Sequence, residues 1–276
     1  MTPARSDTDE FLALTSKIAR ERGFGTHGYK RGCLHRRIAV RMRARGARDY
    51  GEYGRLLDGD PAEYERLIEA LTINVTKLFR NHDAWSAVEH VVLPALWAAP
   101  PAAIRCWVAG CASGEEAYTL AALWHRFASA RRPGSRDNDV GRVSIIASDI
   151  DRESLERAMA GVYAEAAFAE TPADMRARYF PGEAPCAAAP ELRALVRFER
   201  RDLLLDSAPP AGLRLITCRN VLIYFDRVSQ DALLQRFHDV LVPGGFLVLG
   251  KVETLLGAAR EQFDVVDQRQ RIFRRP

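Results

Sequence analysis

No stretch of this chain reaches the roughly 18 consecutive apolar residues that a membrane-spanning helix needs. The nearest, residues 88–103, holds three prolines and two early polar residues, so no membrane insertion is expected. Cysteine is scarce and unpaired in pattern: Cys33, Cys106, Cys111, Cys186 and Cys218 are odd in number, scattered, and form no Cys-x-x-Cys motif. That excludes a disulfide framework or a zinc knuckle and points to reduced thiols in a cytoplasmic protein. The six histidines, at 27, 35, 82, 90, 125 and 238, show no metal-ligand spacing, so no metal is expected. The opening MTPARSDTDE lacks the apolar core of a secretory signal. A net charge of +4 is too small to demand nucleic acid as a partner. What remains, 47% apolar and 28% charged residues, is the balance of an ordinary globular protein.

The texture of the chain changes once along its length. Residues 9 to about 80 carry apolar positions at spacings of three and four, with glycine and Pro61 as punctuation, and show no strand-like alternation. From about residue 103, short apolar runs (104–108, 143–147, 195–199, 213–218, 246–249) alternate with helical segments (115–127, 152–159, 229–241). Such alternation means βαβ units and a mostly parallel sheet. Residues 263–266 and 271–273 read as a terminal hairpin, and 130–142 and 181–190 as surface loops. The expected architecture is α/β: an all-helical domain over 1–80, a linker over 81–102, and a Rossmann-like domain over 103–276.

The first βα unit carries the most chemical information. Its strand runs into AGCASGEEAY, where Gly110 and Gly114 flank a tight turn before a helix. Glycine lets the backbone approach a ligand closely at the carboxyl edge of a sheet. A dinucleotide would place phosphate on that helix N-terminus, but Glu115 and Glu116 stand there and would repel it. Acid suits instead the ammonium of an amino-acid-like cofactor. The second unit ends in SDID, which puts Asp149 where this fold presents an acid to ribose hydroxyls, or alternatively caps a helix; Asp151 is the expected cap. After the third strand, Asp202 could accept an adenine amino hydrogen beside Leu203, or simply close a turn. LITCRNVLIYFD then sets Arg219 and Asn220 at the strand end and Tyr224 beyond.

Together these segments resemble the CheR-type chemotaxis receptor methyltransferases over nearly the whole chain. NVTKLFR (74–80) is similar to that family's Asn-x-Thr-x-Phe-Phe-Arg signature, and GCASGEEAY, ASDID and CRNVLIYFD match in order and spacing. The resemblance implies a helical N-domain followed by a class I methyltransferase domain binding S-adenosyl-L-methionine. It places Asn74, Thr76, Arg80, Glu116, Asp149, Asp202, Leu203, Arg219 and Asn220 around the cofactor, with Arg80 and Tyr224 at the reacting carboxylate. Leu78 stands where the family usually has Phe, Asp202 where Asn is common, Ala117 for a frequent Pro, and KVE (251–253) replaces the usual ending of the fifth strand. None removes a presumed chemical group. The implied reaction is methyl esterification of glutamate on a methyl-accepting receptor's cytoplasmic Glu-rich helices, by a monomer. A glutamate is already ionised at neutral pH, so positioning and water exclusion are needed and a general base is not.

One further feature bears on partners. KRGCLHRRIAVRMRARGAR (30–48) repeats Leu34, Ile38 and Met42 every four residues and spreads Arg31, Arg36, Arg37, Arg41, Arg43, Arg45 and Arg48 over the rest of the circumference. This is either a solvated helix face or a docking surface for an acidic partner, with Arg36, Arg37 and Arg41 the candidates. Two other readings stay open: a methyltransferase acting on RNA, and a non-catalytic module that senses the cofactor. The stretch 179–200, matching the family's small β-subdomain, is rich in Pro and Ala, so recruitment independent of a receptor tail is expected.

Overall fold

The computed structural model describes residues 6–72, 76–99, 103–131 and 140–276. By internal contacts the chain divides into two compact units, one of residues 1–74 with 224–229, the other of residues 75–223 with 230–276.

The first unit is built on four helices: α1 (Asp7–Arg22), α2 (Arg31–Arg45), α3 (Tyr50–Gly59) and α4 (Pro61–Thr72). Each buries an apolar stripe at helical spacing: Phe11, Leu14 and Ile18 on α1, and Leu34, Ile38 and Met42 on α2. Tyr53 and Leu57 on α3, with Leu67 and Leu71 on α4, complete this core. Local chemistry fixes the ends. The Ser6 hydroxyl accepts from the Asp9 amide and the Asp49 carboxylate from the Glu52 amide, each supplying a partner that the first helical turn lacks.

The second unit opens with α5 (His82–Ala87), a π-helical turn (Val88–Val92) and α6 (Leu93–Ala98). This stretch was expected to be a linker, and the structure corrects that. Trp85, Val88, Val92, Leu93 and Leu96 are buried in the same core as the sheet residues Ile104, Val108 and Ile145. Pro94 lies in the first turn of α6, directly after the π-helical turn.

The sheet follows: β1 (Ile104–Ala109), α7 (Glu115–Ser129), β2 (Val143–Asp149), α8 (Arg152–Ala160), β3 (Val162–Tyr163), α9 (Ala173–Tyr179), β4 (Cys186–Ala187), α10 (Pro190–Arg193), β5 (Val196–Arg200), β6 (Leu213–Cys218), α11 (Arg227–Val240), β7 (Leu241–Leu249), α12 (Ala259–Gln262), β8 (Asp264–Asp267) and β9 (Ile272–Arg274). Seven strands lie in the order β5-β2-β1-β6-β7-β9-β8. The first five are parallel and the terminal hairpin β8–β9 is antiparallel. Successive crossovers run one way from β1 through β2 to β5 and the other way through β6 and β7, so the order reverses between β1 and β6. In such sheets ligands bind at the carboxyl edge beside that reversal.

One expected loop differs. Residues 181–190 contain β4, which pairs with β3, and Cys186, Ala188 and Ala189 are buried. Of the loop at 130–142, most lies outside the described residues, and Val140–Arg142 forms a 3-10 turn. Among the described residues no helix is long and apolar enough to cross a membrane.

Candidate active site

The turn after β1 and the turn after β6 flank the reversal point. Gly110 (φ 80°), Ala112 (φ 47°) and Gly114 (φ 91°) give the first turn its left-handed geometry. At Gly110 a Cβ would stand 2.5 Å from Val221 Cγ2, so only glycine allows the second turn to close on the first. The turn leads into α7, whose two acids separate in role. Glu115 is buried and accepts the Ser113 hydroxyl at 2.9 and 3.0 Å, which makes it part of the turn. Glu116 points toward β6, where the Thr217 hydroxyl donates to it at 2.6 Å and Arg219 Nη1 lies 3.4 Å away.

Arg219 is almost fully enclosed, its side chain 2% exposed. Besides Glu116 it donates to the Arg80 carbonyl at 2.9 Å and to Asn81 Oδ1 at 3.3 Å, and it stacks over Trp85 with 4.8 Å to the ring centroid. Burial raises the Glu116 carboxyl above its ordinary value, while Arg219, the Thr217 hydroxyl and Arg80 pull against that rise. Arg80 is presented by a strained segment: Phe79 and Asn81 on either side both have positive φ, 55° and 59°. Arg80, Glu116 and Arg219, named separately from sequence, thus meet in one network.

Asp149 ends β2, nearly buried. Its Oδ2 accepts the Ala112 amide at 2.8 Å and its Oδ1 the Asp151 amide at 3.0 Å. Burial raises this carboxyl too. Asp149 therefore pins the glycine turn as well as standing at the strand end, while Asp151 is the helix cap, accepting from the Glu153 amide and the Ser154 hydroxyl. Asp202 shows a similar division. Its Oδ1 accepts the amides of Leu204 and Leu205, as a turn residue would, but Oδ2 is buried with no hydrogen-bond partner among the described residues. Leu203 is buried beside it. Asn220, at φ 62°, holds the turn after β6 in a left-handed conformation. Thr76 lies half-buried in irregular backbone before Arg80, and Asn74 lies outside the described residues.

Tyr224 is grouped with the helical unit. Its carbonyl accepts the Lys30 amide at 2.9 Å, and the Arg37 guanidinium lies over its ring, 5.8 Å from the centroid. Two of the three candidate docking arginines of α2 already have partners within the helical unit. Arg37 is turned toward Tyr224 and the Ala70 carbonyl, and Arg41 toward Glu63, a fully buried acid on α4. Arg41 Nε donates to Glu63 Oε1 at 3.0 Å, and the Tyr53 hydroxyl donates to the same oxygen at 2.8 Å. Against the upward push of burial, these bonds hold the Glu63 carboxyl below its ordinary value. Arg36 and Arg43 are exposed, with no ion pair among the described residues.

Sequence reasoning missed Glu253, which lies just beyond β7, buried, with its carboxylate on the turn after β6. Its one sequence signal is an acid between Val252 and the apolar Leu255–Leu256 pair at a strand's carboxyl end. A surface cavity of about 680 Å³ lies elsewhere, lined by Pro181, Ala187, Ala188, Pro190 and Arg193. Arg193 is spent there on the carbonyls of Met159 and Ala160.

Comparison with known proteins agrees with this division. Residues 9–72 match the family model of the CheR methyltransferase all-alpha domain, and residues 74–272 that of the CheR methyltransferase SAM-binding domain. A chemotaxis protein methyltransferase of Listeria innocua is 33% identical over 251 residues, covering 91% of this chain and 92% of that protein. The chemotaxis protein methyltransferase of Escherichia coli is 32% identical over 88% of this chain and 83% of its own length. An uncharacterised 104.1 kDa protein of Rhodobacter capsulatus is 37% identical over 89% of this chain, which spans 25% of that protein. With a helical unit, a reversal-point site and both family domains in order, the chain belongs to the CheR family of S-adenosylmethionine-dependent methyltransferases.

Proposed function

We propose that this enzyme methylates glutamate side chains on the cytoplasmic domain of a methyl-accepting chemotaxis receptor, acting as a monomer in the cytoplasm. The observation that carries the reading is the network of Arg80, Glu116 and Arg219 at the reversal point, where the enclosed Arg219 guanidinium pairs with the half-buried Glu116 and binds the Arg80 carbonyl. When bound, S-adenosylmethionine supplies a methyl group on a positively charged sulfur. The residues present fit that cofactor. Asp202 Oδ2, a buried acceptor without a partner among the described residues, suits an adenine amino hydrogen, with Leu203 against the ring. Asp149 suits the ribose hydroxyls, since each carboxylate oxygen keeps a lone pair after binding its backbone amide. Glu116, Arg219 and Asn220, with Thr76 and Asn74, would hold the amino-acid portion.

The acceptor carboxylate arrives ionised, so the chain's own task is to orient it and keep water away. Arg80 can hold one carboxylate oxygen without taking a proton, and its flanking strained residues fix its backbone before substrate arrives. Tyr224 offers a hydroxyl as a second hold, with Arg37 stacked on its ring. Arg36 and Arg43, exposed on α2, are available to the Glu-rich helices of a receptor. The β3–β4 ribbon offers little to a receptor tail. The Ala188 and Ala189 amides already donate to Gly161 and Tyr179 carbonyls, each at 2.8 Å, and Pro185 and Pro190 have no amide hydrogen.

The test is incubation with a receptor cytoplasmic fragment and methyl-labelled cofactor, followed by treatment with base. Label released as methanol, and lost when the receptor glutamates are changed to alanine, supports the reading. Label that is stable to base, or found on RNA, refutes it.

A further inference from the structure

Glu253 is a buried carboxylate, 4% exposed, with no hydrogen bond or ion pair to Arg80, Glu116 or Arg219 among the described residues. Its partners are backbone amides. Oε2 accepts from Gly250 at 2.6 Å and from Asn220 at 2.9 Å, and Oε1 accepts from Val221 at 2.8 Å. Three converging amides around one anion form a compact nest. They belong to two strand ends, so the carboxylate ties the end of β7 to the turn after β6.

That turn is closed from the other side as well. Val221 packs where a Cβ on Gly110 would stand, 2.5 Å from its Cγ2. Between these two holds Asn220 adopts φ 62°, a conformation that residues with a side chain rarely take. The same turn launches Arg219 toward Glu116 and the Arg80 carbonyl. A glycine at 220 beside an apolar residue at 253 would make the turn without burying a charge, and burying a charge is costly. The arrangement present keeps a side chain at 220, an Asn, which tolerates the left-handed conformation better than other residues with a Cβ, and holds it there by the Glu253 carboxylate.

We infer that Glu253 is a positioning residue for cofactor binding, acting through Arg219 and Asn220, whose backbone it fixes. The inference rests on the proposal that those two residues hold S-adenosylmethionine. Glu253→Gln tests it. The side-chain amide keeps the size but turns one acceptor into a donor facing backbone N–H groups, and it removes the charge. Affinity for S-adenosylhomocysteine, read by calorimetry, should fall about tenfold to a hundredfold, the scale of lost hydrogen bonds to a charged acceptor. In steady state the KM for S-adenosylmethionine should rise while the KM for receptor fragment stays at the wild-type value. The melting temperature should fall as well, because at least one backbone amide loses its acceptor, so the rise in KM for S-adenosylmethionine at unchanged receptor KM is the readout that separates positioning from stability. Glu253→Asp keeps the charge on a shorter stem and should bind more tightly than the Gln variant. It is the variant to use if the Gln protein does not fold, and it should still bind more weakly than wild type.

Arg219→Ala runs alongside. If that variant binds wild-type-tight, the assignment of the cofactor residues fails. If it weakens while folded Glu253→Gln and Glu253→Asp bind as wild type does, the positioning role is overturned and Glu253 serves stability alone.

Discussion

Replacing Arg219 with Met removes the charge that faces Glu116 but keeps an apolar side chain against Trp85. Glu116 is then left 14% exposed, with the Thr217 hydroxyl and Arg80 to oppose burial. Breaking one side of a buried ion pair costs about 3–5 kcal/mol. At about 2–4 °C per kcal/mol for a domain of this size, the melting temperature should drop by about 6–20 °C. The loss should depend on pH, and its sign follows from the direction of the shift. Glu116's folded carboxyl already lies above its unfolded value because of burial, and losing Arg219, the largest opposing influence, raises it further. An acid whose folded pKa is raised binds its proton more tightly in the folded state, so stability falls as pH climbs from the unfolded value, about 4.3, through the folded one. The deficit of Arg219→Met relative to wild type should therefore be smaller at pH 5 than at pH 8. Adding Glu116→Gln should abolish that difference and recover part of the stability, giving a favourable coupling in a double-mutant cycle. Melting curves across pH provide the assay. An equal deficit at both pH values, with no recovery in the double variant, would refute the claim that the two groups form a dependent pair.

Asp149→Asn should lower stability by about 1–3 kcal/mol, since the Ala112 or Asp151 amide loses its acceptor, and should also weaken S-adenosylhomocysteine binding measured by calorimetry. Unchanged binding in the folded variant would reduce Asp149 to a pin for the turn. Arg36→Glu with Arg43→Glu should slow receptor methylation and flatten its salt dependence while cofactor affinity stays constant. Arg41→Met should instead destabilise the helical unit by about 3 kcal/mol in thermal melts, because Glu63 stays buried with Arg45, 3.8 Å away, as its remaining cation. Removing the C-terminal tail of a receptor fragment should leave the methylation rate near that of the intact fragment. A large drop, with binding of the isolated tail peptide, would show that the β3–β4 ribbon recruits receptor.

The parts of the fold written in local pattern were legible. The Leu34, Ile38, Met42 repeat marks the buried stripe of α2, and the five parallel strands were found with their carboxyl ends close to where the short runs stop, although β7 begins earlier, at Leu241. Sheet edges then placed Glu116, Asp149 and Arg219 with no knowledge of distance. What depended on distant partners was not legible. A helical wheel shows which face of α2 is apolar, but Glu63, which captures Arg41, lies 22 residues further on. Residues 81–102 read as a linker between two textures of sequence, yet Trp85 with Leu93 belongs to the core. Glu253 carried no local motif, since its partners are backbone amides whose positions no sequence prints.

The backbone around the site shows a common device. Four of the five non-glycine residues with positive φ among the described residues lie in its turns: Phe79 and Asn81 beside Arg80, Ala112 in the turn after β1, and Asn220 in the turn after β6. Each donates its amide to a side chain from another segment. Phe79 donates to the Thr119 hydroxyl at 2.9 Å, Asn81 to Glu170 at 2.6 Å, Ala112 to Asp149 at 2.8 Å and Asn220 to Glu253 at 2.9 Å. Left-handed conformations at such residues cost about 1–3 kcal/mol each, so they last only where something outside the turn holds them. Here three carboxylates and a hydroxyl do so. The cost is met when the chain folds, so the groups at the reversal point are set before cofactor or substrate arrives, and binding energy is not consumed in ordering them. Relaxing these turns would gain stability and loosen the geometry that a methyl transfer in line requires, which is the exchange expected where a site, and not the core, has shaped the sequence.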